Sequence, residues 1–234
     1  MLDNLRSFLS SSIGKKFIMA ASGVILVLFV LGHMSGNLLA FVSPEAINAY
    51  AKKLHTLPLN LLWVIRIILL TAVVAHVWSA ILLTRENRAA RPKNYAVSAT
   101  FQASYASRTM PMTGFILLSF IIFHLLHFTT RDIFDYSSLY YQYNGEEYFN
   151  VYSMMVLGFS KWYVSLFYIV SMALLCLHLS HGASSMFQTL GVSNKAWRKR
   201  LDYFAIGYGV VIFIGFVSIP VAVLLGFLEF WQPA

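Results

Sequence analysis

The residues able to do chemistry in this chain are histidines set inside apolar runs. Residues 112–131, MTGFILLSFIIFHLLHFTTR, carry His124 and His127 one helical turn apart. Residues 165–185 carry His178 and His181 in LHLSHG, and two further runs carry His33 and His76. A neutral imidazole suits such surroundings, because burial disfavours its charged form, and it is a strong ligand for transition metals. A histidine of this kind can hold a metal, relay a proton or hydrogen-bond a neighbouring helix. Cys176 is the sole cysteine, which excludes an internal disulfide and thiolate-held clusters. Any cofactor chemistry therefore falls to the histidines.

The elements that position them are membrane spans. Hydrophobic residues make up 59% of the chain against 11% charged, which is no soluble surface. A spanning helix needs about 20 apolar residues, and five runs qualify, at 17–42, 61–84, 111–130, 162–188 and 204–228. The sequence predicts an all-α integral membrane protein of one membrane domain, with five transmembrane helices and the first four in an up-down bundle. The first run follows basic residues as a signal peptide would, but its apolar stretch is too long and lacks a cleavage site, so it is expected to be retained. Pro220 is expected to kink the fifth helix.

Orientation follows from the cations. Arg6, Lys15, Lys16, Arg85, Arg88, Arg91, Lys93, Arg108, Lys195, Arg198, Lys199 and Arg200 fall on one side. Lys52, Lys53, Arg131 and Lys161 fall on the other, and Arg66 lies inside the second run. The positive-inside rule then places the N-terminus in the cytoplasm and the C-terminus outside. The net charge of +8 belongs to the cytoplasmic face, where anionic lipid or an acidic partner would meet it; nucleic acid is the poorer reading. The outer loops are acidic and tyrosine-rich, DYSSLYYQY among them, and Trp63 and Trp162 open two helices at that interface.

Helical rise converts sequence position to depth. Helices one and three bring His33 and His124 to a similar depth in the outer half, and helices two and four bring His76 and His178 to the inner half. In an up-down bundle each of these is a diagonal pair, and two imidazoles on diagonal helices can clamp a flat macrocycle between them, one at each axial position of its iron. Small neighbours leave room: Gly32 and Gly36 beside His33, Ala72 and Ala80 about His76, Gly182 after His178. Gly32 and Gly36 equally form a GxxxG packing contact. The HLLH and HLSH pairs also echo the histidine boxes of di-iron oxygenases, but those gather many ligands and carboxylates at one depth. Histidines as polar glue or proton relays in a transporter or a haem-free anchor are the rival reading from another class.

Together and in order, several segments resemble one family: GKKFIMAASGV before helix one, HMSGN with His33 and Asn37, EAINAYAKKLHTLP in the first outer loop, AHVWSAILLTREN around His76, SRTMPMTG before helix three, and LHLSHG followed by FQTLGV. They are similar to the five-helix, di-haem cytochrome b subunit of succinate dehydrogenases and fumarate reductases, over nearly the whole length. The resemblance implies two haems b, a quinone site with menaquinone the expected quinone, and flavoprotein and iron–sulfur partner subunits at the cytoplasmic face of a bacterial inner membrane. It implies electron transfer between those partners and quinone, in either direction, with no activity toward succinate in this chain alone. It also separates the doubled histidines. Relatives place the helix-three ligand ten residues after the Gly of a Thr-Gly pair, here Thr113 and Gly114, which selects His124 against His127. Their helix-four ligand begins an H-x-x-N-G pattern, which selects His178 and leaves His181 where asparagine stands. The outer haem is thus expected on His33 and His124, the inner on His76 and His178. His127, His181, Arg66 and Arg131 become candidates to contact propionates or support the ligands. Asn37, Glu45 and His55 are the candidates for the quinone site. The cytochrome b subunit of a hydrogenase or formate dehydrogenase is the nearest alternative, and the quoted loop segments argue against it.

Overall fold

A computed structural model describes residues 2–90, 105–143 and 145–232. Arg91 and Lys93, two of the cations used for orientation, lie outside the described residues. Without water, backbone groups in hydrocarbon must bond within their own segment, so the apolar runs form helices. Among the described residues, five helices are long and apolar enough to cross a membrane: Ser12–Phe41, Pro58–Ala89, Thr109–Thr129, Trp162–Thr189 and Arg198–Leu224. Each overlaps one of the five expected runs, with ends that differ by up to six residues. Large apolar side chains such as Leu28, Ile67 and Phe115 are exposed along them, as the lipid-facing surface of a membrane protein requires.

In chain order the elements are α1 (Leu2–Ser10), α2 (Ser12–Asn37), α3 (Pro44–His55), α4 (Leu61–Ala89), α5 (Tyr105–His124), β1 (Tyr140–Tyr143), β2 (Glu146–Phe149), α6 (Val151–Phe159), α7 (Trp162–Thr189) and α8 (Arg198–Leu224). Short 3₁₀ turns cover Leu38–Phe41 and Pro58–Asn60. Pro220 lies inside α8.

Two compact units are built from these elements. The first comprises Met1–Phe29, Arg66–Gly114 and Leu177–Gly209. It holds Arg6, Lys15, Lys16, Arg85, Arg88 and the Lys195–Arg200 cluster. Within it Lys15 pairs with Glu86, which also accepts from the Ser12 hydroxyl at 3.2 Å, joining α2 to α4. Ser184 donates to Asp202, joining α7 to α8.

The second unit comprises Val30–Ile65, Phe115–Cys176 and Val210–Ala234, and it contains structure the loops did not announce. Residues 44–55 are a helix: the Ser43 hydroxyl accepts from the Ala46 amide at 3.1 Å, Pro44 opens the first turn, and Glu45 sits there with Lys52, Lys53 and His55 in the last turn. The tyrosine-rich segment is an antiparallel hairpin, with Tyr140 opposite Phe149 and Tyr141 opposite Tyr148. Lys52 pairs with Glu146 of that hairpin and lies 3.7 Å from the Tyr148 ring centre, which holds its ammonium above the usual lysine range. Helix α6 is capped by Asn150, whose Oδ1 accepts from the Ser153 amide at 3.0 Å, and nearly all of it is buried.

Between α3, α6 and the C-terminal segment runs a buried polar network. Asn48 donates to Asn150 Oδ1 at 3.1 Å and accepts from the Tyr152 amide at 3.0 Å. Asn150 donates to the Trp231 carbonyl at 2.8 Å, and Ser153 donates to the same carbonyl. Around it Ile47, Tyr152, Met155, Val156, Phe159, Val164, Tyr168 and Ile219 form the apolar core of this unit. Burying amides is tolerable only where each finds a partner. Among the described residues, no buried side-chain nitrogen or oxygen lacks one.

Candidate functional site

Each unit holds one histidine pair. In the first, His76 on α4 and His178 on α7 have ring centres 6.2 Å apart. His76 Nδ1 lies 3.1 Å from the Met19 carbonyl and 3.4 Å from the Ser22 hydroxyl, both on α2. His178 Nδ1 lies 3.4 Å from the Thr113 hydroxyl on α5. Glycines face both rings: a Cβ at Gly23 would come within 3.6 Å of His76, and one at Gly114 within 3.8 Å of His178. His181, one turn after His178, is half-buried with Nε2 3.3 Å from the Ser185 hydroxyl.

In the second unit, His33 on α2 and His124 at the end of α5 have ring centres 5.8 Å apart. Asn37 places its amide 3.3 Å from His33 Nε2. His124 Nδ1 lies 3.2 Å from the Tyr168 hydroxyl on α7. The helix then widens into a π turn over Leu125–Thr129, with the Thr130 amide bonded to the Leu125 carbonyl at 2.9 Å. Inside that turn His127 is wholly buried. Its Nδ1 meets the Tyr168 hydroxyl and its Nε2 the Tyr136 hydroxyl, each at 3.0 Å. The ring stacks on Phe128 with centres 3.8 Å apart.

The remaining candidates are scattered. Arg131 lies beyond the π turn. It has φ 65° and its guanidinium lies 4.3 Å from the Phe149 ring centre. With Asp135, Tyr136, Ser137 and Tyr140 it lines a recess of about 280 Å³. Glu45 and His55 are exposed at opposite ends of α3, and Arg66 is half-buried on α4. Gly36, expected to make room beside His33, packs against Tyr50 of α3 instead: a Cβ there would stand 2.7 Å from the ring. Tyr168 and Tyr136 were missed by sequence reasoning, which looked for partners along each helix and had no means of pairing α5 with α7.

The fit of a haem can be tested on these distances. An imidazole nitrogen binds a first-row metal at about 2.0 Å and lies about 1.1 Å from its ring centre, so two imidazoles on opposite faces of one iron have centres about 6 Å apart. Both pairs stand at that spacing. At His76, His124 and His178 the observed polar partner is at Nδ1, the arrangement that leaves Nε2 as the donor to a metal. At His33 the Asn37 amide meets Nε2, so that contact or the ring's orientation must change for the same nitrogen to bind. Among the described residues no group of three or more His, Cys, Asp or Glu converges, so each set offers two imidazoles and no more.

Fold and site together define a multi-pass, all-α membrane protein with two histidine pairs set in its spans. Residues 84–216 match the succinate dehydrogenase/fumarate reductase transmembrane subunit, and the chain belongs to that family. It is a membrane-anchor subunit of such complexes. No curated protein and no solved structure matches the chain.

Proposed function

We propose that this anchor is a di-haem cytochrome b, carrying electrons between a flavoprotein and iron–sulfur subunit pair and membrane quinone. The observation that carries the reading is the spacing of the two imidazole pairs, 5.8 Å for His33 with His124 and 6.2 Å for His76 with His178, in a member of this family. Haems held by His33 with His124 and by His76 with His178 would supply one-electron carriage.

The chain's own residues do the rest. Met19, Ser22, Thr113 and Tyr168 hold ligand imidazoles in orientation through Nδ1. Gly23 and Gly114 keep Cβ atoms away from the inner rings. The basic residues of the first unit form the face for the hydrophilic partners, which makes that side cytoplasmic, with the N-terminus there, in a bacterial inner membrane. Arg66 and Arg131 are the cations available for propionates. Asn37, Glu45 and His55 are assigned to the quinone end; Asn37 contacts His33, while Glu45 and His55 stand exposed on α3.

A reduced-minus-oxidised spectrum of membranes holding the chain tests the reading. A b-type signal equivalent to two haems is expected, and its absence would sink the proposal. His76→Ala should halve that signal and leave the His33–His124 haem in place. Quinone choice follows from succinate-to-quinone assays on the copurified complex, comparing menaquinone and ubiquinone analogues.

A further inference from the structure

The surroundings of His124 form one continuous hydrogen-bonded chain within the second unit. It runs from His124 Nδ1 to the Tyr168 hydroxyl at 3.2 Å, from that hydroxyl to His127 Nδ1 at 3.0 Å, and from His127 Nε2 to the Tyr136 hydroxyl at 3.0 Å. Tyr136, His127 and Tyr168 are all buried, and Tyr136 lines the recess beside Arg131 and Asp135. The chain is unlike the other ligand contacts. His178 has a single threonine hydroxyl at 3.4 Å, and His76 a backbone carbonyl and a serine.

Proton counting fixes the polarity of this chain. A phenol has one proton, so Tyr168 donates to one of its two imidazoles and must accept from the other. A neutral imidazole has one N–H, so His127 likewise donates at one nitrogen and accepts at the other. Two polarities satisfy every group. An imidazole bound to iron through Nε2 keeps its hydrogen on Nδ1, and this selects one of them. His124 Nδ1–H donates to Tyr168, Tyr168 donates to His127 Nδ1, and His127 Nε2–H donates to Tyr136. All three bonds point the same way, and bonds so aligned polarise one another in a low-dielectric interior.

We propose that Tyr168 is a positioning residue that holds His124 in the iron-binding tautomer and raises its donor strength, and that His127 and Tyr136 act through Tyr168 by fixing the direction in which its hydroxyl points. His127 on this view contacts neither propionate nor quinone. The inference rests on His124 being a haem ligand. A hydrogen bond accepted from the ligand N–H pushes electron density toward the metal and favours the oxidised iron. Removing it favours the reduced form.

The test is a potentiometric titration of the full chain, followed by its b-type absorption. Tyr168→Phe keeps the ring and removes the hydroxyl. Both haems should remain, and one of the two midpoint potentials should rise. A bond of about 1.4 kcal/mol corresponds to about a tenfold higher reduced-to-oxidised ratio at fixed ambient potential, or about 59 mV for a one-electron couple. Adding Tyr136→Phe to that variant should change nothing more, because the link is already cut. Two unchanged potentials with both haems bound would overturn the proposal. Should Tyr168→Phe lose a haem, Tyr136→Phe alone decides: a smaller rise in the same potential supports the chain, and no rise overturns it. Absence of any b-type signal in the unsubstituted protein takes down the haem reading itself, an outcome distinct from unshifted potentials.

Discussion

Replacing Asn150 with alanine isolates the buried network that joins α3, α6 and the C-terminal segment. Asn150 is 2% exposed and serves three partners. Its Oδ1 accepts from the Ser153 amide and from Asn48, and its Nδ2 donates to the Trp231 carbonyl. In Asn150→Ala these groups fare differently. The Asn48 amide keeps the Tyr141 hydroxyl at 3.3 Å, and the Trp231 carbonyl keeps the Ser153 hydroxyl. The Ser153 amide loses its side-chain acceptor, the cap of α6. Loss of an N-cap costs about 1 kcal/mol, and each weakened buried bond costs about 1 kcal/mol more. The whole is about 3 kcal/mol, and for a chain of this length that lowers Tm by about 6–12 °C. Thermal unfolding of the full chain in detergent or nanodiscs, followed by circular dichroism, gives the number. Amide exchange adds the location: Val151–Phe159 and the segment around Trp231 should exchange faster, while α4 should not change. A Tm within about 2 °C of the parent, with α6 still protected, would show that apolar packing alone holds α6 and that this reasoning is wrong.

Gly158→Ala should be costly for a different reason. Its Cβ would stand 2.8 Å from His127 Nε2 and 3.0 Å from Phe128 Cε1, around an imidazole already stacked on Phe128. Overpacking of this kind costs about 1–3 kcal/mol, and differential scanning calorimetry should register it, whereas Gly182→Ala, with nothing within 4 Å of the new atom, should be near neutral. Alkali offers a further check. Burial pushes the Tyr136 hydroxyl up to about 12 from an ordinary 10, so the folded state binds this proton more tightly than the unfolded one. Its contribution, of order 2 kcal/mol, is fully present below pH 10 and lost as pH rises toward 12. Stability of the parent should fall across that window, and Tyr136→Phe should flatten the slope; an unchanged slope would count against the assignment.

How much could be read in advance differs from element to element. The five spans were legible because hydrocarbon permits little but a helix, and a run of about 20 apolar residues has one outcome. Helical rise and chain direction brought helices one and three, and helices two and four, to matching histidine depths, and the family resemblance separated His124 from His127 and His178 from His181. The outer segments were harder. Ser43-Pro44-Glu45 is a helix start and Gly145, at φ 75°, marks a hairpin turn, both local signals that a reading intent on hydropathy passes over. The partners of the imidazoles were out of reach in principle. Tyr168 approaches His124 and His127 only because α7 packs against α5, and no spacing along either helix encodes that contact. Arg131 lies beyond the π turn with φ 65° and its guanidinium against the Phe149 ring, a placement that no spacing along α5 encodes.

That π turn is, in terms of phase, one residue more than the α-helical repeat allows. Everything beyond it is rotated by about 100° relative to an uninterrupted helix, and His127 sits within the turn itself. Deleting Leu126 would restore the repeat and swing the His127 imidazole away from the Tyr168 hydroxyl, although both side chains of the contact would still be present in the sequence. The register of the backbone across that turn, as much as the identity of the residues, therefore decides whether the second histidine reaches Tyr168.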